Sequence, residues 1–336
     1  MQSNATGIVY NSILMPPISP TIQAVLSTLM SVGIVVNLYT AFALHQTKIN
    51  SSLTKLLLYQ QNLLDSLFAV LTISLICTDN YRPASNTIPV SSIVCHLFQS
   101  GVLSRIVRIM MVCNTVCQSA DRFWAIVYPK TYRAYKNYYI ALCSLLIPLY
   151  SVLSSVTRIA KVTMIDGSCL KHDLSVNKYT LCIVESILRY GIPMFLLILL
   201  NVLVIRRLCK QQQIQLVGSL TEQITHDGSA DVTGRIENTG HILISIQRHI
   251  FVNTFFLAIE LTVIEVVAIV LTILNLCNIV SYGVDSISRV YYLVTVVLLS
   301  GLNPCAEIFT IRMLRNTVMM HWHLFGSCCR KYEVNS

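Results

Sequence analysis

The chain has 336 residues, of which 54% are hydrophobic and only 12% charged, and its mean hydropathy is +0.64. A water-soluble domain cannot cover its surface with so few charged residues, so the composition excludes one and predicts a membrane protein. The formal net charge of +9 indicates membrane topology and attraction to anionic lipid, and not nucleic-acid binding.

Seven apolar stretches are long enough to cross a bilayer as helices. A span needs roughly 20 mostly apolar residues, because every backbone N–H and C=O must find its partner within the segment. We therefore predict an all-α membrane protein, a seven-transmembrane helix bundle over residues 22–311 that follows an extracellular N-terminal segment, 1–21. The predicted helices are 22–44, 53–77, 93–120, 138–157, 180–205, 249–276 and 289–311.

The lysines and arginines are distributed unevenly between alternate connecting segments. Taking the N-terminus as outside, the successive inner segments hold two, four, five and four of them, against six in all the outer segments. Short loops rich in these residues stay cytoplasmic, so we expect the N-terminus outside and the C-terminus inside. Asn4 begins an Asn-Ala-Thr glycosylation acceptor in the predicted outer segment, which agrees with this orientation.

Two further segments are predicted on the cytoplasmic side. Residues 210–247 are polar with few aromatics, and we expect a mobile loop there. Residues 312–336 are expected to form a short amphipathic helix in the membrane interface and a tail. Cys328 and Cys329 in that segment are candidates for palmitoylation, and the alternative is a pair of unmodified thiols.

Cysteines near the predicted outer face indicate a disulfide bond. Cys95 and Cys169 are the preferred pair, because the outside is oxidising and the bond would close a long loop. Cys77, Cys182 and Cys277 also lie near this face and leave other pairings open.

Short motifs occur in a fixed order along the predicted spans. Asp121-Arg122 begins the run DRFWAIVYPKTY at the end of the third span, and LSGLNP lies in the seventh. The other matches are Asn37 in the first span, Asp65 within NLLDSLF in the second, and Pro193 in the fifth. In this order the chain resembles the rhodopsin-like (class A) G protein-coupled receptors over nearly its whole length, as a divergent member.

This resemblance implies a function and a set of site residues. It implies a plasma-membrane receptor without enzymatic activity or cofactor, whose partners are an extracellular ligand, a heterotrimeric G protein and lipid. Arg122 would meet the C-terminal helix of the G protein, and Asp121 would hold Arg122 at rest. A polar core of Asn37, Asp65 and Asn303, with Pro304 beside it, would rearrange when ligand binds.

Several positions depart from the family pattern. The sixth span has neither Pro nor Trp, and Glu307 and Asn201 stand where the family usually has tyrosines. Met111 replaces a hydroxyl of the family's sodium site, so we expect no bound metal. We predict that Glu307 pairs with Arg122 in one conformation, because opposite charges attract strongly when partly desolvated.

Two arginines in the third span indicate where a ligand binds. Arg105 and Arg108 share one helix face and lie about 25 Å and 21 Å from Arg122 at 1.5 Å per residue. Buried arginines need anions. The candidate anions are Glu185, Glu260, Glu265 or an acidic group of the ligand, and Arg189 is a weaker third cation.

The neighbouring positions narrow the ligand class. Ser104 stands where amine receptors of the family have an aspartate, which argues against a monoamine. The seventh span has no lysine for retinal, and the short N-terminus leaves no large ectodomain. A short peptide is therefore the preferred ligand.

Other functional classes fit less well. A secondary transporter would show interrupted helices in two related halves of the chain, and no such symmetry is visible. No catalytic or metal-binding constellation is apparent either. The altered motif positions leave one alternative, a signalling-impaired protein that acts as a heteromer partner or ligand sink.

Overall fold

The computed structural model describes the backbone of residues 11–12, 19–47, 49, 51–80, 92–159, 162–165, 168–171, 178–225, 233–282 and 286–333. Side chains are described for 19–47, 49, 51–77, 92–93, 95–98, 100–157, 180–210, 251–282 and 286–322. Asn4 lies outside the described residues, and the side chains of Cys169, Cys328 and Cys329 lie outside the described part as well.

The described chain is almost entirely helical, as predicted. In chain order the α-helices are α1 (Pro20–Gln46), α2 (Ser52–Asn80), α3 (Val102–Val127), α4 (Pro129–Ala134), α5 (Lys136–Leu153), α6 (Val156–Ile159), α7 (Lys178–Ser186), α8 (Ile192–Thr225), α9 (Thr233–Leu276), α10 (Ile287–Ser300), α11 (Asn303–Thr310) and α12 (Arg312–Glu333). Two π-helical segments, Val94–Gln99 and Ile187–Gly191, precede α3 and α8.

Among the residues that the structure describes, six helical segments are long and apolar enough to cross a membrane, as expected of a multi-pass membrane protein. They are Pro20–Gln46, Ser52–Cys77, Lys136–Leu153, Thr180–Lys210, Phe251–Leu276 and Ile287–Thr310. Each coincides with a predicted span to within a few residues. The remaining predicted span is α3, which has 26 residues but is more polar and is not among the six.

The distribution of side chains is the reverse of that in a water-soluble protein. Large apolar residues such as Val35, Leu145 and Phe195 are more than half exposed on the outward faces of the helices. Several charged and amide side chains lie inside the bundle, and those that are at most 2% exposed include Asn37, Asp65, Asn114, Glu265 and Glu307. This arrangement suits a hydrocarbon solvent, in which polar groups must be satisfied within the bundle.

Helix α3 occupies the centre of the bundle. It contacts α2, α5, α8 and α9. It begins after Gly101, which adopts a left-handed backbone (φ 70°) that glycine tolerates best. The predicted helix 93–120 is therefore two segments that meet at Gly101. We refer to the two ends of α3 as the Cys95 end and the Arg122 end.

Helices α1 and α10 approach each other closely at a pair of glycines. A Cβ atom added to Gly33 would lie 3.8 Å from the Cα atom of Gly301. Small residues allow helix backbones to approach in this way. The seventh predicted span breaks at Gly301 and Leu302, and α11 restarts at Asn303 with Pro304 in its first turn.

A small antiparallel sheet, which the sequence analysis did not predict, lies near the Cys95 end. Its strands are β1 (Asn11–Ser12), β2 (Val162–Ile165) and β3 (Ser168–Lys171), in the order β1-β3-β2. Ile165 pairs with Ser168, so two residues separate β2 from β3. Those residues are Asp166 and Gly167, a dipeptide favoured in two-residue hairpin loops.

The stretch 210–247, predicted as a loop, is largely helical instead. Helix α8 continues to Thr225, and α9 begins at Thr233. The physical reason is local, because glutamines and leucines there are good helix formers and extend helices that packing has already nucleated.

The C-terminal helix α12 packs on α1 and the start of α2. Ile311 and Leu314 are buried against Ala43, Leu44 and Leu58, as the amphipathic pattern predicts. Thr317 and His321 hydrogen-bond to Thr47 and Gln46 at 3.2 Å and 2.7 Å. Trp322 lies on the exposed side, 79% accessible, where an interfacial helix places an aromatic residue.

Candidate functional site

The buried polar side chains of α3 lie at three levels between the Cys95 end and the Arg122 end. Arg105 and Arg108 form the first level, Asn114 the second, and Asp121 and Arg122 the third. Each level is completed by residues from other helices. We call these three levels the polar column of α3.

At the Arg122 end, Asp121 and Arg122 form a buried ion pair. Thr54 of α2 donates a hydrogen bond to Asp121 Oδ2 at 2.7 Å, and Arg122 also hydrogen-bonds to Thr54 Oγ1. Asp121 is 1% exposed and Arg122 4%. The structure thus brings Asp121 and Arg122 into contact with each other and with Thr54 of α2.

Tyr132 of α4 completes this cluster. Its hydroxyl donates to Asp121 Oδ1 and is hydrogen-bonded to Ser51 Oγ at 2.7 Å. Burial and the neighbouring Asp121 carboxylate raise the pKa of Tyr132 well above its usual range, so the phenol stays a hydrogen-bond donor. We call Thr54, Asp121, Arg122 and Tyr132 the Asp121 latch. Sequence reasoning did not find Tyr132 or Thr54, because neither stands out among ordinary loop and helix residues.

The second level is a buried amide and carboxylate network around Asp65. Asn303 of α11 donates to Asp65 Oδ2 at 2.9 Å, and Gln61 donates to Oδ1 at 3.0 Å. Asn114 of α3 donates to the Gln61 side chain at 2.9 Å. The network therefore links α2, α3 and α11, and the predicted pairing of Asp65 with Asn303 is present.

Asn37 does not join this network in the described structure, contrary to expectation. Its side-chain amide donates to the Gly33 carbonyl of the same helix at 2.9 Å, and its Oδ1 atom has no partner among the described residues. A side-chain bond to the carbonyl four residues back competes with a bond across the bundle. The polar core is thus built from Gln61, Asp65, Asn114 and Asn303.

Glu307 of α11 is fully buried and lies beside this network. Asn62 donates to its Oε2 atom at 2.9 Å, and Oε1 has no hydrogen-bond partner among the described atoms. Glu307 and Arg122 therefore each have other partners in this conformation. The predicted pair is absent here and remains a prediction for a second conformation.

The first level holds the predicted ligand-binding candidates. Arg108 pairs with Glu265 of α9 at 2.7 Å, and both are buried. Arg105 lies 3.4 Å from Glu185 of α7. The sequence allowed either a glutamate of the chain or an acidic ligand group as the partner of each arginine. In this structure both arginines pair with glutamates of the chain. Ser104, 5% exposed, is buried next to Arg105 in α3.

Two more arginines reach the same end. Arg189, in the π-helical segment before α8, places its guanidinium 4.8 Å from the Tyr190 ring centroid. A Cβ atom at Gly101 would lie 3.3 Å from the Arg289 guanidinium, so Gly101 leaves room for that side chain. The proximity of Arg289 to α3 was not predicted from the sequence.

The cysteines at this end are described in part. Cys95 is disulfide-bonded, whereas Cys77, Cys182 and Cys277 are free thiols. The pairing of Cys95 with Cys169 therefore stays the prediction. Within the described residues, no group of three or more His, Cys, Asp or Glu side chains is arranged to hold a metal ion.

No protein-family model and no curated protein matches the chain.

Proposed function

We propose that the chain is a plasma-membrane receptor of the rhodopsin-like type, which converts binding of an extracellular ligand at the Cys95 end into G protein activation at the Arg122 end. In this proposal α3 is the seventh membrane span, the N-terminus is extracellular, and the C-terminus with α12 is cytoplasmic. The ligand is a short peptide, and the protein has no catalytic role.

The observation that carries this proposal is the polar column of α3. A charged or amide side chain within a membrane bundle costs several kcal/mol unless it is paired. Such residues therefore indicate a functional role. Here they occur at three levels of one central helix, and the last level is the Asp121 latch. A ligand that moves α3 or its neighbours at the Cys95 end would disturb partners at all three levels.

The Asp121 latch supports a resting state in this structure. Arg122 is turned toward Asp121 and Thr54 and is 4% exposed, so a cytoplasmic partner cannot reach its guanidinium. Activation would have to break the ion pair and expose Arg122. A two-state element of this kind is what allows a ligand to shift an equilibrium between conformations.

The direct test is guanine nucleotide exchange on purified heterotrimeric G proteins, with the full-length chain in lipid nanodiscs and a library of short peptides as probes. A peptide that accelerates exchange with the wild type and not with Arg122→Ala would support the proposal. Arg207→Ala serves as the matched control, because Arg207 is an exposed arginine of α8. Equal acceleration by wild type and Arg122→Ala would refute it.

A signalling-impaired heteromer partner or ligand sink is the second candidate. Asn201 hydrogen-bonds to Ser119 at 3.1 Å and to the Leu197 carbonyl at 2.8 Å, and Glu307 is tied to Asn62. Both residues thus stabilise the resting bundle, whereas the tyrosines usual at these positions in the family steady the active state. Saturable peptide binding without nucleotide exchange on any G protein would favour this candidate.

A further inference from the structure

Four arginines lie at the Cys95 end and only two of them form ion pairs among the described residues, with Glu185 and Glu265, so two positive charges are unpaired at this level; Glu260 interacts with Arg108 from the side of Asp65. We propose that this end recognises a doubly negative ligand group, held by Arg105, Arg189 and Arg289. The inference rests on the proposed function for the statement that this end receives the ligand. It adds the charge and the chemistry of the group that is recognised.

Arg108 does not contribute to this site, because its charge is already neutralised. Its guanidinium lies 2.7 Å from Glu265, and the two side chains are 4% and 2% exposed. A buried pair at this distance is a charge-assisted hydrogen bond of good geometry. Arg108 and Glu265 therefore form the floor below the proposed site.

Arg105 is paired less well. Its Nη2 atom lies 3.4 Å from Glu185 Oε2, and that glutamate also accepts a hydrogen bond from Thr157 at 2.6 Å. The Nε and Nη2 atoms of Arg105 are buried without a hydrogen-bond partner among the described atoms. A buried guanidinium with unused donors is costly unless something else accepts from it.

Among the described residues neither Arg189 nor Arg289 forms an ion pair within 4.0 Å, although Arg189 is attracted by Glu265, which is already paired with Arg108. Arg189 interacts electrostatically with Arg105, and Arg289 with Arg105 and Arg189, so the three cations are close enough to repel one another. Cations are brought together in this way where an anion separates them. The aromatic contact of Arg189 with Tyr190 compensates only a part of this repulsion.

A tyrosine supplies a neutral donor to the same site. Tyr292 of α10 is 6% exposed, and its hydroxyl has no hydrogen-bond partner among the described residues. Tyr282 packs edge-on against it, with 5.9 Å between the ring centroids. The phenol of Tyr292, like the free donors of Arg105, is therefore available to an acceptor oxygen.

These donors fit oxygen anions of a particular kind. The guanidinium fork binds carboxylate and phosphate oxygens through two parallel hydrogen bonds, and a single ammonium or hydroxyl cannot do the same. Two unbalanced charges match two negative charges. They come from a pair of carboxylates, such as a peptide C-terminus beside an acidic side chain, or from a sulfate or phosphate ester.

The test uses thermal unfolding of the full-length purified chain in nanodiscs, with millimolar glutarate or sulfate as probes and acetate as the singly charged control. We expect glutarate, sulfate or both to raise the Tm of the wild type saturably, and acetate to have no such effect. A response to glutarate alone would identify a dicarboxylate ligand. A response to sulfate would identify an ester.

Arg189→Gln and Arg289→Gln should each reduce this shift at least threefold, whereas Arg207→Gln in the exposed part of α8 should keep it. Without probe, Arg289→Gln should leave the Tm unchanged or raise it, because it relieves repulsion with Arg105 and Arg189, so loss of the shift in this variant cannot be ascribed to misfolding. The proposal is overturned if neither dianion gives a saturable shift, or if the shift is equal in all variants. Since no G protein is used, these outcomes are separate from failure of nucleotide exchange.

Discussion

Asp121 receives hydrogen bonds from two residues that lie outside its own helix. Thr54 and Tyr132 both donate to its carboxylate, and Arg122 is held through it. Each hydrogen bond to a charged group contributes about 1.5–3 kcal/mol. Loss of one donor should therefore shift the equilibrium away from the resting state by about tenfold or more.

We accordingly expect Tyr132→Phe and Thr54→Val to raise ligand-independent nucleotide exchange on purified G protein several-fold. Tyr138→Phe is the matched control, since Tyr138 is 64% exposed and belongs to the neighbouring helix α5. Basal exchange that is the same in all three variants and the wild type would show that the latch does not restrain Arg122.

Glu307→Gln tests the predicted pairing of Glu307 with Arg122. Glutamine can still accept the hydrogen bond from Asn62, which is 2.9 Å away, so the resting structure should be retained. The negative charge that would attract Arg122 is lost, and we expect a lower maximal exchange rate at saturating peptide. If basal and stimulated exchange both equal those of the wild type, Glu307 has no part in activation.

Arg108 and Glu265 allow a double-mutant cycle inside the bundle. Removal of one partner from a buried pair leaves an uncompensated charge and typically costs roughly 3–5 kcal/mol. We therefore expect Arg108→Met and Glu265→Leu each to lower the Tm strongly, and the double variant to recover most of the loss. Additive losses in thermal unfolding would contradict a direct pair.

Contacts of buried charged side chains could be predicted from the sequence, because a buried charge needs a partner. Asp65 was expected to meet Asn37 and Asn303, and it meets Asn303. For Arg108 the anion was left open between Glu185, Glu260, Glu265 and the ligand, and the structure pairs it with Glu265. Asn37 instead bonds to its own helix, because an amide can be satisfied locally and a charge cannot. Tyr132 was missed because its role depends on the fold of a short loop helix that the sequence does not mark.

At the scale of helices, the contact between α1 and α10 depends on Gly33 and Gly301. A Cβ atom at Gly301 would lie 3.2 Å from the Leu298 carbonyl and 3.7 Å from the Cα atom of Gly33, so even alanine is crowded. We expect Gly301→Ala to lower the Tm and Gly33→Leu to lower it further, by pushing the helices apart. Gly191→Ala is the control, since its Cβ atom would find its nearest neighbours at 4.0 Å. An unchanged Tm in Gly33→Leu would contradict this close approach.

The positions of the helices were predictable to within a few residues, but their interruptions were not. The six candidate spans were found from the length of their apolar stretches, because the thickness of the hydrocarbon layer sets the length that a span needs. The break at Gly101 and the π-helical segments depend on tertiary contacts. The β2–β3 hairpin did have a signal, since Asp166-Gly167 follows the alternating run VTMI, but that signal was not used.

For the whole molecule, the number of membrane crossings depends on whether the polar helix α3 is one of them. Its charged residues keep it out of the six most apolar segments, yet they are buried at the centre of the bundle. A polar helix can cross a membrane when other helices surround it, because its charges then meet partners and not lipid. The seventh crossing and the direction of the chain remain predictions.

The measurement that tests this account most directly is the accessibility of epitope tags placed before Met1 and after Ser336, read on intact and on permeabilised cells. The account predicts that the N-terminal tag is labelled on intact cells and the C-terminal tag only after permeabilisation, because an odd number of crossings separates them. Labelling of both tags on the same side would mean an even number of crossings. It would contradict a receptor that carries a signal from the Cys95 end to the Arg122 end.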